Sequence, residues 1–240
     1  MFEDMLQAIV FVIIFLAVFI QSMSGFGLAL VSMALLPGII GIQIAAPLVA
    51  LVGIPLEFLL LLKYRSALNF YAVWPLIIAS LFGIPLGIYG LKKVDEEIVL
   101  TILGIVITGY ALYSLFEVKL PQMKHPTWAY GSGFFAGLLG GAYNTAGPPV
   151  IIYGNCRGWL PAEFKGNLQS FFLVGTLFVA AAHALSGNLT EVVWVDFLWA
   201  VPAIGLGFVA GTWLDRYLNP ELFRKVVLVL LILMGLRLIF

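Results

Sequence analysis

Six stretches of this chain stay apolar for about twenty residues each, the length a helix needs at 1.5 Å per residue to cross roughly 30 Å of hydrocarbon. They run from Ile44 to Leu62, Tyr71 to Leu91, Ile98 to Phe116, Phe164 to Leu185, Val192 to Leu214 and Leu222 to Ile239. Charge gathers in the short connections between them, such as Lys63-Tyr64-Arg65, Lys92 to Glu97 and Glu117 to Pro126. With 62% hydrophobic and 10% charged residues, the chain has too little polar surface to cover a water-soluble globule, whereas helices facing lipid need little. The sequence therefore predicts an all-α polytopic membrane protein.

Two further apolar regions are interrupted. Leu6 to Ile20 passes through Gln21-Ser22-Met23-Ser24-Gly25-Phe26-Gly27 into Leu28 to Leu36, and Trp128 to Ala142 passes through Tyr143-Asn144-Thr145-Ala146-Gly147 into Pro148 to Gly154. That makes about eight hydrophobic segments, and the halves look alike. Gly83 to Phe116 aligns without a gap on Gly207 to Phe240, pairing Gly83 with Gly207, Gly87 with Gly211, Lys92 with Arg216, Glu97 with Glu221 and Phe116 with Phe240. Repeated halves with an interrupted segment at corresponding places are a cue for transporter architecture. The expected division is 1–120 and 121–240, each half a broken, re-entrant hairpin followed by three transmembrane helices.

Lys and Arg collect on the cytoplasmic side of a membrane protein, so loop charge tests whether the interrupted segments cross. If Trp128 to Gly154 crosses once, the basic residues divide seven against five. If it doubles back, one side holds Lys63, Arg65, Lys119, Lys124, Arg157, Lys165, Arg216, Arg224 and Lys225, and the other only Lys92, Lys93 and Arg237. Nine against three favours doubling back. An odd number of full crossings per half then inverts the second half relative to the first and puts both termini outside. Glu3 and Asp4 suit that side, and they stand where a cleaved secretory signal would carry positive charge.

Backbone at membrane depth must be buried in protein or line a wet cavity, so the two Gly-rich breaks mark a candidate cavity. Both read as helix starts, since proline and small polar residues favour the first turn. Their free N–H groups and the positive ends of their helix dipoles favour an anion. Candidate ligands are Gln21, Ser22, Ser24, Tyr143, Asn144 and Thr145 through their side chains, with Gly25, Phe26, Gly27, Gly147 and Pro148 shaping the backbone. Lys165 opens a polar stripe with Asn167 and Gln169 where a cation could draw the anion in. Glu57 and His183, inside apolar helices, are the proton-coupling candidates, although Glu57 is also six residues from Lys63 and in reach of an interfacial pairing. Gly83, Gly87, Gly207 and Gly211 read as helix-packing faces.

Several functions are disfavoured. A formal net charge of zero leaves no basic footprint for nucleic acid. The two histidines, His125 and His183, form no metal-binding spacing, the lone Cys156 can form no internal disulfide, and neither a catalytic nucleophile nor a P-loop is present. The chain thus reads as a non-enzyme needing no cofactor.

At the two breaks the sequence resembles the TauE/SafE sulfite exporter family, also called the toluene sulfonate uptake permeases (TSUP). The resembling residues are Ser24-Gly25-Phe26-Gly27 with Pro37 downstream, and Gly140-Gly141 followed by Asn144-Thr145-Ala146-Gly147-Pro148-Pro149. The resemblance implies a prokaryotic inner-membrane carrier with repeated halves, associated with sulfite, sulfonates such as sulfoacetate and related anions. An Arg often opens the stretch after the second break in that family; here Lys165 takes its place, keeping the charge without the bidentate geometry.

Together these readings predict a secondary, proton-linked carrier of a sulfur-containing oxyanion or organosulfonate, binding at the midplane between the two broken-helix tips. A passive anion channel and a non-transporting scaffold subunit are the alternatives, and a homodimer is compatible with such a chain. The charge split makes a direct prediction: cysteines placed at Met1 and after Phe240 are labelled from the extracellular side, and labelling from the cytoplasmic side alone would reverse the assignment.

Overall fold

The computed structural model describes residues 2–93, 95–116, 118, 121–123, 125–215, 217 and 220–240. Lys119, Lys124 and Arg216, counted in the loop-charge argument, lie outside the described residues, as does the expected boundary at residue 120; the same holds for the side chains of Glu3, Asp4, Lys92, Lys93, Glu221 and Arg224. Among the described residues all regular structure is helical: α1 (Phe2–Ser24), α2 (Leu28–Leu35), α3 (Pro37–Ile40), α4 (Ile42–Tyr64), α5 (Phe70–Lys93), α6 (Glu96–Leu115), α7 (Thr127–Tyr143), α8 (Gly147–Arg157), α9 (Pro161–Leu185), α10 (Glu191–Leu214) and α11 (Pro220–Ile239). A 3₁₀ turn, Arg65–Ala67, follows α4. Five helices among the described residues are long and apolar enough to cross a membrane: Met5–Ser24, Ile42–Ala67, Phe70–Gly90, Pro161–Leu185 and Glu191–Leu214. The remaining two expected runs correspond to α6 and α11. The outward faces are apolar, with Phe82, Leu198 and Val209 exposed, as lipid contact requires.

Four helix pairs carry the architecture, and in each glycines set the approach. Gly133, Gly137 and Gly141 of α7 lie against the backbone of Leu76, Ser80 and Ile84 of α5 in the same order, so these two helices run parallel. Gly83 and Gly87 answer from α5, where an added Cβ would collide with the carbonyl oxygens of Phe134 and Leu138. On α10, a Cβ at Gly207 would meet Phe15 O at 2.9 Å and one at Gly211 would meet Phe19 O at 2.6 Å, so α1 and α10 also run parallel. Without a hydrophobic force between helices in lipid, such spacing of small residues is what permits close packing. The four glycines expected to be packing positions are therefore where that role puts them.

The other two pairs are antiparallel. Gly104 of α6 faces Leu238 and Ile239 while Thr108 faces Gly235 of α11. On the inner pair, Glu57 of α4 meets Thr176 of α9, and Tyr64 meets Gly166. Leu48, Val52, Leu56 and Leu60 of α4 are fully buried, so this helix lies at the centre of the bundle.

The glycine contacts make a paired prediction. Gly87→Val and Gly211→Val force a side chain into facing backbone, and overpacking typically costs about 1–3 kcal/mol. Both should lower the thermal midpoint in detergent, whereas Gly90→Ala, with no atom within 4 Å of its added Cβ, should leave it nearly unchanged.

Candidate functional site

The first break is left-handed at both glycines, with φ 87° at Gly25 and 128° at Gly27. A side chain would strain either turn. Its geometry is held by two glutamines from different helices. Gln21 on α1 accepts the first N–H of α2, from Leu28, on Oε1 at 2.9 Å, and so caps that helix from across the break. Gln169 on α9 donates to the Gly25 carbonyl at 2.6 Å and accepts from Gln21 Nε2 at 3.4 Å. Ser24 donates to the carbonyls of Ile20 and Phe26. These polar groups, proposed from sequence as ligands, hold the turn together.

The second break is built differently. Asn144 adopts the left-handed conformation at φ 53°, which Asn tolerates better than most residues. Its Nδ2 donates to the Ala46 carbonyl near the start of α4, while Thr145 donates its hydroxyl to the Tyr143 carbonyl at 2.8 Å. Proline at 148 and 149 then opens α8, as expected for a first turn. The two breaks thus anchor at opposite ends of the antiparallel inner pair, the first on the opening turns of α9 and the second near the start of α4.

A cavity of about 630 Å³, counting the space at its mouth, joins them. Gln21, Phe26 and Gly27 line it from the first break, together with Leu28, Ala29 and Leu30; Asn144, Thr145, Ala146 and Gly147 line it from the second. The N–H groups of Ala29 and Leu30 at one helix start, and of Ala146 and Gly147 at the other, make no hydrogen bond among the described residues. The walls between are largely apolar, from Val49, Ile84, Phe171, Phe172 and Val179.

Among the described residues, Glu57 is the one acidic side chain in the lining. It is buried, accepts from the Thr176 hydroxyl at 3.1 Å on Oε1, and leaves Oε2 without a partner. The pairing with Lys63 weighed from sequence is therefore replaced by a contact to α9. Phe172 approaches Gly147, while Thr176, one turn further along α9, holds Glu57, so one face of α9 touches both the second helix start and the carboxylate.

The other sequence candidates stand outside the lining. Ser22 faces Gly211 of α10, Tyr143 and Pro148 are buried beside the second break, and the Asn167 Oδ1 accepts the Asn69 N–H at 2.8 Å. His183 lies one turn beyond Val179, with the Asn188 amide donating to its Nδ1 at 2.9 Å. Lys165 donates to Met23 O and is paired with Asp215. Phe172, Thr176 and Val179 were not singled out from sequence, although their spacing from Gln169 at i+3, i+7 and i+10 continues one helical face and would have found them. Among the described residues no group of three or more His, Cys, Asp or Glu could hold a metal ion.

A sequence model of the family described as "Sulfite exporter TauE/SafE" matches residues 10–238, nearly the whole chain. The chain belongs to the sulfite exporter TauE/SafE family. It is similar to the "Probable sulfite/organosulfonate exporter TauE" of Cupriavidus necator, at 25% identity over 90% of this chain and 87% of the relative. It is also similar to the "Probable inner membrane transporter protein TsaS" of Comamonas testosteroni, at 29% identity over 80% of this chain and 81% of the relative. No solved structure matches. Membership places the chain among membrane transporters, in keeping with its several apolar helices.

Gln169→Leu tests the lock on the first break. It strips partners from the Gly25 carbonyl and the Gln21 amide, and an unsatisfied buried polar group costs about 1–3 kcal/mol. A fall in thermal midpoint larger than that of Asn167→Leu, whose Oδ1 accepts from the Asn69 N–H in a surface connection, is the expected result.

Proposed function

We propose that this TauE/SafE family member is a secondary carrier of a small sulfur-containing oxyanion or organosulfonate, such as sulfite or sulfoacetate, in a prokaryotic cytoplasmic membrane. One observation carries the reading: two helix starts, one from each half, line a single cavity with unbonded N–H groups. Helix N-termini place partial positive charge and donors where an anion can be held without a fixed cation. The names of the two relatives, a probable sulfite/organosulfonate exporter and a probable inner membrane transporter, support the same class of cargo and the same membrane.

The pairing of helices supports two inverted halves. In 1–120 and 121–240, α1 corresponds to α7, α4 to α9, α5 to α10 and α6 to α11. The contact of α5 with α7 then has its counterpart in that of α10 with α1, while α4 with α9 and α6 with α11 are self-corresponding antiparallel pairs. That pattern is what a two-fold axis in the membrane plane produces. Lys63, Arg65, Arg157 and Lys165 belong to the end where α4 finishes and α9 begins, which we assign to the cytoplasm. Both termini are then outside. Alternating access between those faces distinguishes a carrier from a channel.

Proton linkage fits the position of Glu57. A buried carboxylate and a bound anion repel each other unless a proton accompanies the anion into the cavity. Glu57 lines the cavity and His183 does not, so Glu57 is the group we assign to coupling. Flux into proteoliposomes tests the whole reading: saturable uptake of sulfite or a sulfonate with counterflow is expected, non-saturable flux would indicate a channel, and none a scaffold. Glu57→Gln should abolish pH-driven uptake while retaining substrate exchange, and His183→Asn should keep both. Normal pH-driven uptake in Glu57→Gln would remove it from coupling.

A further inference from the structure

A second place suited to an oxyanion lies outside the cavity, where α4 and α10 finish and α9 begins. Lys165 Nζ donates to both carboxylate oxygens of Asp215, at 3.2 Å to Oδ1 and 3.0 Å to Oδ2, and Tyr64 donates its hydroxyl to Oδ2 at 3.4 Å. The same ammonium donates to Met23 O at 2.6 Å and stands 5.4 Å from the centre of the Tyr64 ring. A cation and a hydroxyl from two helices thus grip the oxygens of one carboxylate, as they would grip any small oxyanion. The group is not sealed, for the Lys165 and Asp215 side chains keep 17% and 23% of their exposure. Lys63 and Arg65 are exposed on either side of Tyr64, so the approach is positive.

We infer that Lys165 and Tyr64 form an entry site for an oxyanion, and that Asp215 is its built-in competitor. In the resting protein the Asp215 carboxylate holds the donors; an arriving sulfite or sulfonate group takes its place. The inference rests on the reading of the protein as an anion carrier.

The exchange has a mechanical result. Asp215 follows the last turn of α10, and its pairing ties that helix to α9 and to the end of α4. The Lys165 stem lies over Gly25, where an added Cβ would come 2.9 Å from its Cγ, and the next residues, Phe26 and Gly27, line the cavity. Displacing Asp215 unties α10 from the elements that cover the first break, so the arrival of the anion is linked to the opening of its own path.

A structural ion pair and an exchangeable one differ in sign. If the pair only fastens helices, Lys165→Gln and Asp215→Asn act alike, and both weaken transport or yield. If Asp215 competes, Asp215→Asn removes the competitor and lowers the half-saturating concentration of sulfite, while Lys165→Gln raises it. Each change should be about tenfold, the size expected for one charge-assisted hydrogen bond. The measurement is concentration-dependent uptake of radiolabelled sulfite and of sulfoacetate into proteoliposomes, on protein that is monodisperse in detergent. Asp215→Glu, which keeps the competitor, should stay near wild type, and Tyr64→Phe should weaken affinity. An unchanged or raised half-saturating concentration in Asp215→Asn overturns the inference. If Asp215→Asn does not fold, Lys165→Gln and Tyr64→Phe decide, and wild-type affinity in both overturns it. Absence of saturable uptake by the wild-type protein would overturn the carrier reading as well, so the two failures are distinguishable.

Discussion

A peptide N–H inside a bilayer has no water to turn to, and among the described residues the helix starts at the two breaks leave such groups unbonded around one cavity. That arrangement is tolerable only where the groups face a cavity, and much of the fold serves to hold that cavity open. The breaks need glycine or asparagine to turn, glutamines and an asparagine to brace the turns, and close-packed neighbours to carry the broken helices. Helix starts bind anions in soluble proteins for the same electrostatic reason, but a membrane protein adds a low-dielectric surround in which each partial charge reaches further.

The polar side chains at the breaks divide into two kinds. Gln21, Ser24, Gln169, Asn144 and Thr145 spend hydrogen bonds on backbone or on one another, which fixes where the free N–H groups point. Glu57 keeps an oxygen without a partner inside the cavity. The apolar wall with Phe171 and Phe172 makes no directional demand on what enters the cavity.

The helix starts, the packing glycines and the interruption of two segments were all legible in the sequence, because glycine, proline and apolar run length act locally. α2 begins at Leu28 and α8 at Gly147, close to where small and polar residues interrupt the runs. What could not be read is which polar groups meet. Gln21 and Gln169 are 148 residues apart, Glu57 and Thr176 are 119 apart, and Lys165 and Asp215 are 50 apart. From sequence alone Glu57 had Lys63 as its nearest charge and Lys165 had Glu163, two residues away on another side of the helix; the packing of α4 and α10 against α9 supplied both partners. Ser22, a candidate ligand from its place in the polar run, faces Gly211 of α10, a neighbour 189 residues away that the run itself does not reveal.

The pairing of α1 with α10 and of α7 with α5 has a consequence for how the protein is made. The broken helix α1 packs its length against α10, and α7 against α5. As the chain emerges from the ribosome, α7 finds its glycine-faced partner already in the membrane, whereas α1 must wait until nearly the whole protein has been inserted. During that interval the first break, with its unbonded amides, has neither Gln169 nor α10 to steady it. The N-terminal helix is therefore among the last pieces to be locked, and the first break gains its final support only when synthesis is almost complete.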